Sequence, residues 1–215
     1  MTLSAELYFS FRSPYSYLAM GRYRAMARDC AVDIALRPVY PLAIRQPDFF
    51  ERNHPNWLQY TFLDMARVAQ FHDIPFDLPR PDPIVQDVAT RRIAPEQPYI
   101  RRITRLGQAA ARRGRGLAFA HEAAQLIWGG AENWHEGDHL AGAAERAGLD
   151  LAELDREVAA EPETLDAEIA ANQQALEDAG HWGVPTLVFD GEPFFGQDRI
   201  AIARWRMEQK GLEKR

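Results

Sequence analysis

A hydroxyl-bearing pair with two residues between its members, Ser13 and Ser16, follows a short apolar run from Leu7 to Phe11, and Pro14 comes directly after the first serine. Ser13 stands where a helix N-cap belongs: its side-chain oxygen can accept from the free N–H groups of the first turn, and Pro14 at the first helical position gives up no bond. A helix start gathers unpaired N–H donors and the positive end of the dipole, so it favours an anion or a thiolate beside it. The chain brings no reactive thiol of its own to that place. Cys30 is its only cysteine, which rules out an intramolecular disulfide, a Cys-x-x-Cys redox pair and a multi-cysteine metal site. It falls at the far end of the segment begun by Ser13, where nothing nearby would lower its pKa, and it reads as a small packing residue.

Other chemistry-bearing residues lie far along the chain. Gly183-Val184-Pro185-Thr186 opens an apolar run, and Gln197-Asp198 precedes the last helical segment, with Asp198 as the expected N-cap. His135-Glu136-Gly137-Asp138-His139 fits H-E-x-x-H, which binds zinc only when both histidines share one face of a continuous helix. Gly137 inside the motif and the look of Asp138 as a helix start argue against that, so no metal site is expected.

The elements that must position these groups are legible in the apolar periodicity. Leu7, Phe9 and Phe11 alternate with Tyr8, Ser10 and Arg12 as a strand, a helix carries Tyr17, Leu18, Gly21, Ala25 and Met26, and Val32 to Arg37 is a second strand. Pro38, Pro41, Pro47 and Pro55 punctuate a loop, after which Tyr60 to Phe71 is helical. Helical text then fills Tyr99 to Arg113, Leu117 to Trp128, Gly137 to Ala147, Leu151 to Ala160 and Glu163 to Ala179, with Asp150 as an N-cap. Strand character returns in Gly183 to Phe189 and Pro193 to Phe195, joined by Asp190-Gly191, a hairpin signal, with Pro193 confined to a strand start or an edge. The order is βαβ, a helical middle, then ββα.

The chain of 215 residues carries a net charge of -6 and a pI near 5.5, which makes nucleic acid an improbable partner. Arg91, Arg92, Arg101, Arg102 and Arg105 form a local basic group that reads as a solvated helix face balanced by acidic segments. No run approaches the ~18–20 apolar residues of a membrane span, and the first residues lack a basic and an apolar region, so a cytoplasmic protein is expected.

The element order is that of an α/β protein with a thioredoxin-like fold and a large all-helical insertion: residues 1–44 and 181–215 form the thioredoxin-like part and 45–180 the insertion. Ser13-Pro14-Tyr15-Ser16-Tyr17-Leu18-Ala19, Gly183-Val184-Pro185-Thr186 and Phe195-Gly196-Gln197-Asp198-Arg199, together with Asn133 to Leu140, resemble the 2-hydroxychromene-2-carboxylate isomerase family, relatives of kappa-class glutathione transferases and of disulfide oxidoreductases. The resemblance implies glutathione as cofactor, a small aromatic substrate, a homodimer, and cis-trans isomerisation of an aromatic-degradation intermediate. In redox members Ser13 and Ser16 would be cysteines; serine cannot attack a disulfide, but Ser13 can donate to the thiolate of bound glutathione.

By the same resemblance Val184 and a cis Pro185 hold the cysteinyl part, although an ordinary trans proline opening a strand gives the same sequence. Gln197 and Asp198 receive the γ-glutamyl end, and Asn53 or Asn56 is the loop asparagine. Arg12 is a candidate for a substrate carboxylate, against its plainer reading as an exposed strand-end arginine, and Tyr15 and Trp128 are candidates for the aromatic body. Where relatives carry a glycine-containing loop and a lysine, this chain has Pro38-Val39-Tyr40-Pro41-Leu42. A kappa-like transferase and a non-catalytic peptide-binding module are the alternative readings.

Overall fold

The computed structural model describes residues 2–47, 49, 54–87 and 92–215. Strand β1 (Leu3–Phe9), helix α1 (Pro14–Asp29) and strand β2 (Val32–Pro38) form the βαβ unit, with β1 and β2 parallel in a register that sets Leu3 against Val32 and Phe9 against Pro38. Strands β3 (Thr186–Phe189) and β4 (Glu192–Phe195) complete a four-stranded sheet of order β2-β1-β3-β4, β3 running antiparallel to both neighbours. Asp190 and Gly191 turn the hairpin with φ of 52° and 77°, the left-handed pair that matches strand twist in a two-residue connection. Pro193 sits in the edge strand, where its missing N–H interrupts no ladder.

Between the two halves of the sheet run α2 (Leu42–Arg45), α3 (Pro55–Phe71), α4 (Pro98–Arg112), α5 (Gly116–Trp128), α6 (His139–Arg146), α7 (Leu151–Ala160) and α8 (Pro162–Asp178); α9 (Ile200–Gln209) follows β4. Every described strand lies in the two ends of the chain, which makes this a thioredoxin-like fold with a helical insertion. One continuous apolar core joins Leu7, Phe9, Leu18 and Leu187 of the sheet layer to Ile100, Leu106, Phe119 and Trp128 of the inserted helices, all fully or almost fully buried. No helix among the described residues is long and apolar enough to cross a membrane.

Several boundaries differ from those the periodicity predicts. β1 stops at Phe9, because residues 10–13 turn back, and Phe11 is buried through that turn and not through a ladder. β3 begins only at Thr186, directly after the cis Val184-Pro185 peptide. α9 starts at Ile200 with Arg199 at its N-cap position, and Asp198 makes no capping bond. α3 begins at Pro55, capped by His54, whose Nδ1 accepts from the Asn56 N–H at 3.2 Å. The H-E-x-x-H residues do not share a helix: His135 lies in a turn, Gly137 has φ of 55°, and α6 starts at His139. Within the basic group, Arg102 is paired in bidentate fashion with Asp155 and Arg105 with Asp166; Arg91 lies outside the described residues.

Candidate active site

The turn that presents Ser13 is built by contacts from the inserted helices. The Ser13 N–H donates to the Ser10 carbonyl at 3.0 Å, and the buried Phe11 ring meets Phe9 and Phe119 edge to face. Gly107 of α4 makes room for it, since a Cβ there would stand 2.7 Å from the Phe11 ring. The Trp128 indole N–H, from the last turn of α5, donates to the Phe11 carbonyl at 3.0 Å in a fully buried bond. Satisfying that carbonyl matters because a buried backbone acceptor without a partner costs about 1–3 kcal/mol.

Ser13 then caps α1. Its backbone is extended, its Oγ accepts from the Ser16 N–H at 3.2 Å, and the same hydroxyl lies 3.4 Å from the Val184 carbonyl, toward which it donates. Val184-Pro185 is cis. The Gly196 N–H on the Pro185 carbonyl (2.8 Å) and the Thr186 hydroxyl on the Gly183 carbonyl (2.7 Å) hold the segment in place. The half-buried hydroxyl therefore sits between a helix N-terminus and the backbone of a cis-proline loop. Tyr15 contributes a further first-turn N–H that no intrahelical acceptor reaches, and Ser16, 1% exposed, keeps a hydroxyl without a protein partner. The Ser13 hydroxyl and the first-turn N–H groups suit a thiolate or another compact anion, while the Ser16 hydroxyl is closed to solvent.

Of the remaining sequence candidates, Gln197 and Asp198 lie against α1, the helix that Ser13 caps. Arg22 donates to the Gln197 Oε1 at 2.6 Å, and Asp198 is exposed, paired to Arg199 at 2.6 Å and close enough for its charge to act on Tyr15 and Arg22. Tyr15 donates to Asp64 at 2.7 Å; burial first and that bond second push its phenol well above the usual range.

Arg12 and Trp128 are placed otherwise than the sequence reading has them. Arg12 forms a bidentate pair with Asp82, one bond at 2.6 Å, and lies over the Trp128 ring at 5.5 Å, so its guanidinium is engaged within the chain and is not an exposed strand end. Trp128 is 1% exposed, stacked on Phe76 and bonded to Phe11; it supports the Ser13 turn and offers no open face to a substrate. Asn53 lies outside the described residues, and Asn56 is exposed on the first turn of α3.

The divergent loop is tied down by other means than a lysine. Tyr40 donates its N–H to Gln173 at 3.1 Å and its hydroxyl to Asp166 at 2.6 Å, while Arg45 bridges the Tyr40 carbonyl (2.7 Å) and the Trp182 carbonyl (2.9 Å). Sequence reasoning missed Arg22, Asp64, Arg45 and the ring pair His181-Trp182. The i,i+4 spacing of Tyr60 and Asp64 was a local signal for one of them; Arg22, Arg45 and Trp182 acquire partners more than a hundred residues away, while His181 meets rings and backbone within 14 residues.

A βαβ half and a β-hairpin half in one sheet, a helical insertion, and a cis-proline facing the first helix define the thioredoxin-like class. The DSBA-like thioredoxin domain model matches residues 5–206, and the chain belongs to that family. Within it the chain is similar to a 2-hydroxychromene-2-carboxylate isomerase of Sphingobium xenophagum, 28% identical over 207 residues that cover 93% of this chain and 95% of the relative. A solved 2-hydroxychromene-2-carboxylate isomerase superimposes with a TM-score of 0.71 at 21% identity, covering 96% of this chain and 95% of that one. The cytosolic disulfide reductase DsbM of Pseudomonas aeruginosa, solved with GSH, matches with a TM-score of 0.59 at 18% identity, over 96% and 100% of the two chains. The structural likenesses establish the fold.

Proposed function

We propose that this protein is a glutathione-dependent isomerase that converts one geometric isomer of a conjugated aromatic-degradation intermediate into the other. The observation that carries the reading is the Ser13 hydroxyl, held at the N-terminus of α1 and 3.4 Å from the carbonyl that precedes cis Pro185, with serine also at position 16. Disulfide exchange needs a thiolate attacker on the protein, and the one cysteine, Cys30, is buried at the opposite end of α1. A site that stabilises a thiolate without owning one calls for a thiol from solution, and a solved relative in the same fold carries glutathione.

Bound glutathione supplies a nucleophile that adds to and later leaves a conjugated carbon, so that a double bond becomes rotatable in between. With glutathione bound, the Ser13 hydroxyl turns its one proton from the Val184 carbonyl to the sulfur, and the first-turn N–H groups of α1 add favourable potential; both favour the ionised thiol. The Val184 backbone pairs with the cysteinyl unit as an added strand segment would. Gln197, held by Arg22, and the carboxylate of Asp198 receive the γ-glutamyl ammonium and carboxylate. Tyr15, locked to Asp64, walls the first turn beside them. A homodimer in a reducing cytoplasm belongs to the same reading.

The test is calorimetric titration of the protein with reduced glutathione, followed by mass analysis of the product from a conjugated test substrate. Binding with an isomer of unchanged mass is the expected outcome. A product heavier by one glutathione would make the protein a transferase using the same site, and failure of glutathione to bind would remove the enzyme reading and leave a peptide-binding module.

A further inference from the structure

Five rings pass in contact from α3 to the edge strand. Trp57 meets Phe49 at 5.8 Å between centroids, Phe49 meets Trp182 at 5.6 Å, Trp182 stacks on His181 at 5.5 Å and 16°, and His181 stacks on Phe195 at 4.0 Å and 20°. Gly183 permits the last contact, because a Cβ at that position would lie 2.5 Å from the Phe195 ring and 3.0 Å from the imidazole. Although packed on one another, Trp57, Trp182 and Phe195 remain 36%, 42% and 44% exposed. Trp182 precedes Val184 by two residues, at most about 7 Å of extended chain, and the Val184 carbonyl faces Ser13.

The ladder contains no charged side chain when His181 is neutral, and its geometry keeps it so. The Gly183 N–H donates to His181 Nδ1 at 2.9 Å, which requires that nitrogen to be unprotonated and leaves the proton on Nε2. Burial also lowers the imidazole pKa from its ordinary 6.5. Flat, uncharged and partly open rings beside the place of a nucleophile bind another flat ring by offset or edge contact.

We propose that the Phe49-Trp182-His181-Phe195 ladder is the subsite for the planar aromatic part of the electrophile, with Trp182 as its principal contact and His181 Nε2–H as the donor available to the substrate's carbonyl. The proposal rests on the glutathione reading above for the position of the sulfur. It moves the aromatic contact from the insertion core, where Trp128 is buried, to the segment that leads into the cis-proline.

The experiment compares calorimetric affinities of S-benzylglutathione and S-methylglutathione for wild type, Trp182→Ala and Trp182→Phe. Calorimetric binding of naphthalene-2-sulfonate, without any thiol, is measured in parallel on the same three proteins. The preference for the benzyl over the methyl derivative is expected to fall about three- to tenfold in Trp182→Ala, from the usual worth of one aromatic pair. Trp182→Phe should retain it, and the affinity for S-methylglutathione should stay constant across the set. An unchanged benzyl preference in Trp182→Ala overturns the ladder while leaving the glutathione reading intact. If neither derivative binds the wild type, the glutathione reading fails and the sulfonate decides: binding lost in Trp182→Ala sustains the aromatic subsite, and equal binding to both overturns it.

Discussion

Replacing Ser13 by alanine removes one hydroxyl that serves two purposes, and the two losses separate by magnitude. The hydroxyl caps α1 through the Ser16 N–H at 3.2 Å, and loss of such a cap costs about 1 kcal/mol, or roughly 2–4 °C in melting temperature for a chain of this size. The folded protein survives that. A hydrogen bond to a charged group is worth about 1.5–3 kcal/mol, which at 1.36 kcal/mol for each pKa unit is about one to two units of thiol pKa. The dipole of α1 remains in the variant and supplies ~0.3–1 kcal/mol, less than one unit. Bound glutathione should therefore titrate well below the free thiol value of ~8.5 in wild type and about one to two units higher in Ser13→Ala. Ultraviolet absorbance of the thiolate, followed against pH at saturating protein, reads both values. The linkage gives a second reading: because the bound pKa lies below the free one, affinity rises with pH from the bound pKa up to ~8.5 and is flat above it. In Ser13→Ala the window of rising affinity narrows toward its upper end. Ser13→Gly controls for capping, since glycine costs only a few tenths of a kcal/mol as a cap. A bound thiol that titrates at the same pH in wild type and in both variants would refute the assignment of Ser13 to the sulfur.

Four further outcomes are expected. Trp128→Phe leaves the Phe11 carbonyl buried without its donor and should lower unfolding stability by about 1–3 kcal/mol in a denaturant titration; a change in substrate KM alone, with stability untouched, would contradict its supporting role. Gly107→Ala drives a Cβ against the Phe11 ring and should cost about 1–3 kcal/mol by overpacking while weakening glutathione binding through the displaced Ser13 turn; wild-type values for both would show that the turn is not set by α4. Asp82→Asn breaks the bidentate pair with the half-buried Arg12 and should lower stability by about 1 kcal/mol, in the range of partly exposed ion pairs, with added salt reducing the difference between variant and wild type. Burial depresses the folded-state pKa of both His121 and His181 below 6.5, so the unfolded chain takes up protons first as pH falls below that value. Stability is then fully present above about pH 6.5 and declines below it until the folded-state values are passed, and His121→Gln should flatten the decline seen by calorimetry.

The sequence alone determined the order of elements and the chemistry of the first helix start. Periodicity of two in Leu7 to Phe9 and in Val32 to Arg37, helical spacing in the middle, and Asp190-Gly191 between two apolar runs are local signals that survive translation into structure, whereas the alternation carried on to Phe11 and the capping expected of Asp198 do not. Ser13 as an N-cap with Pro14 behind it was equally legible, because capping depends on neighbours within a few residues. Tertiary structure decided everything that joins distant segments. It stacked Arg12 on Trp128 and paired it with Asp82, 70 residues away. The indole of Trp128 was drawn inward to the Phe11 carbonyl across 117 residues. At the other end of the chain, the Val184 carbonyl came to the Ser13 hydroxyl across 171 residues. The physical reason is the same in each case: a side chain's type states which bonds it can make, but which partner it meets, and whether it ends buried or open, is fixed by the packing of elements that no window of sequence contains.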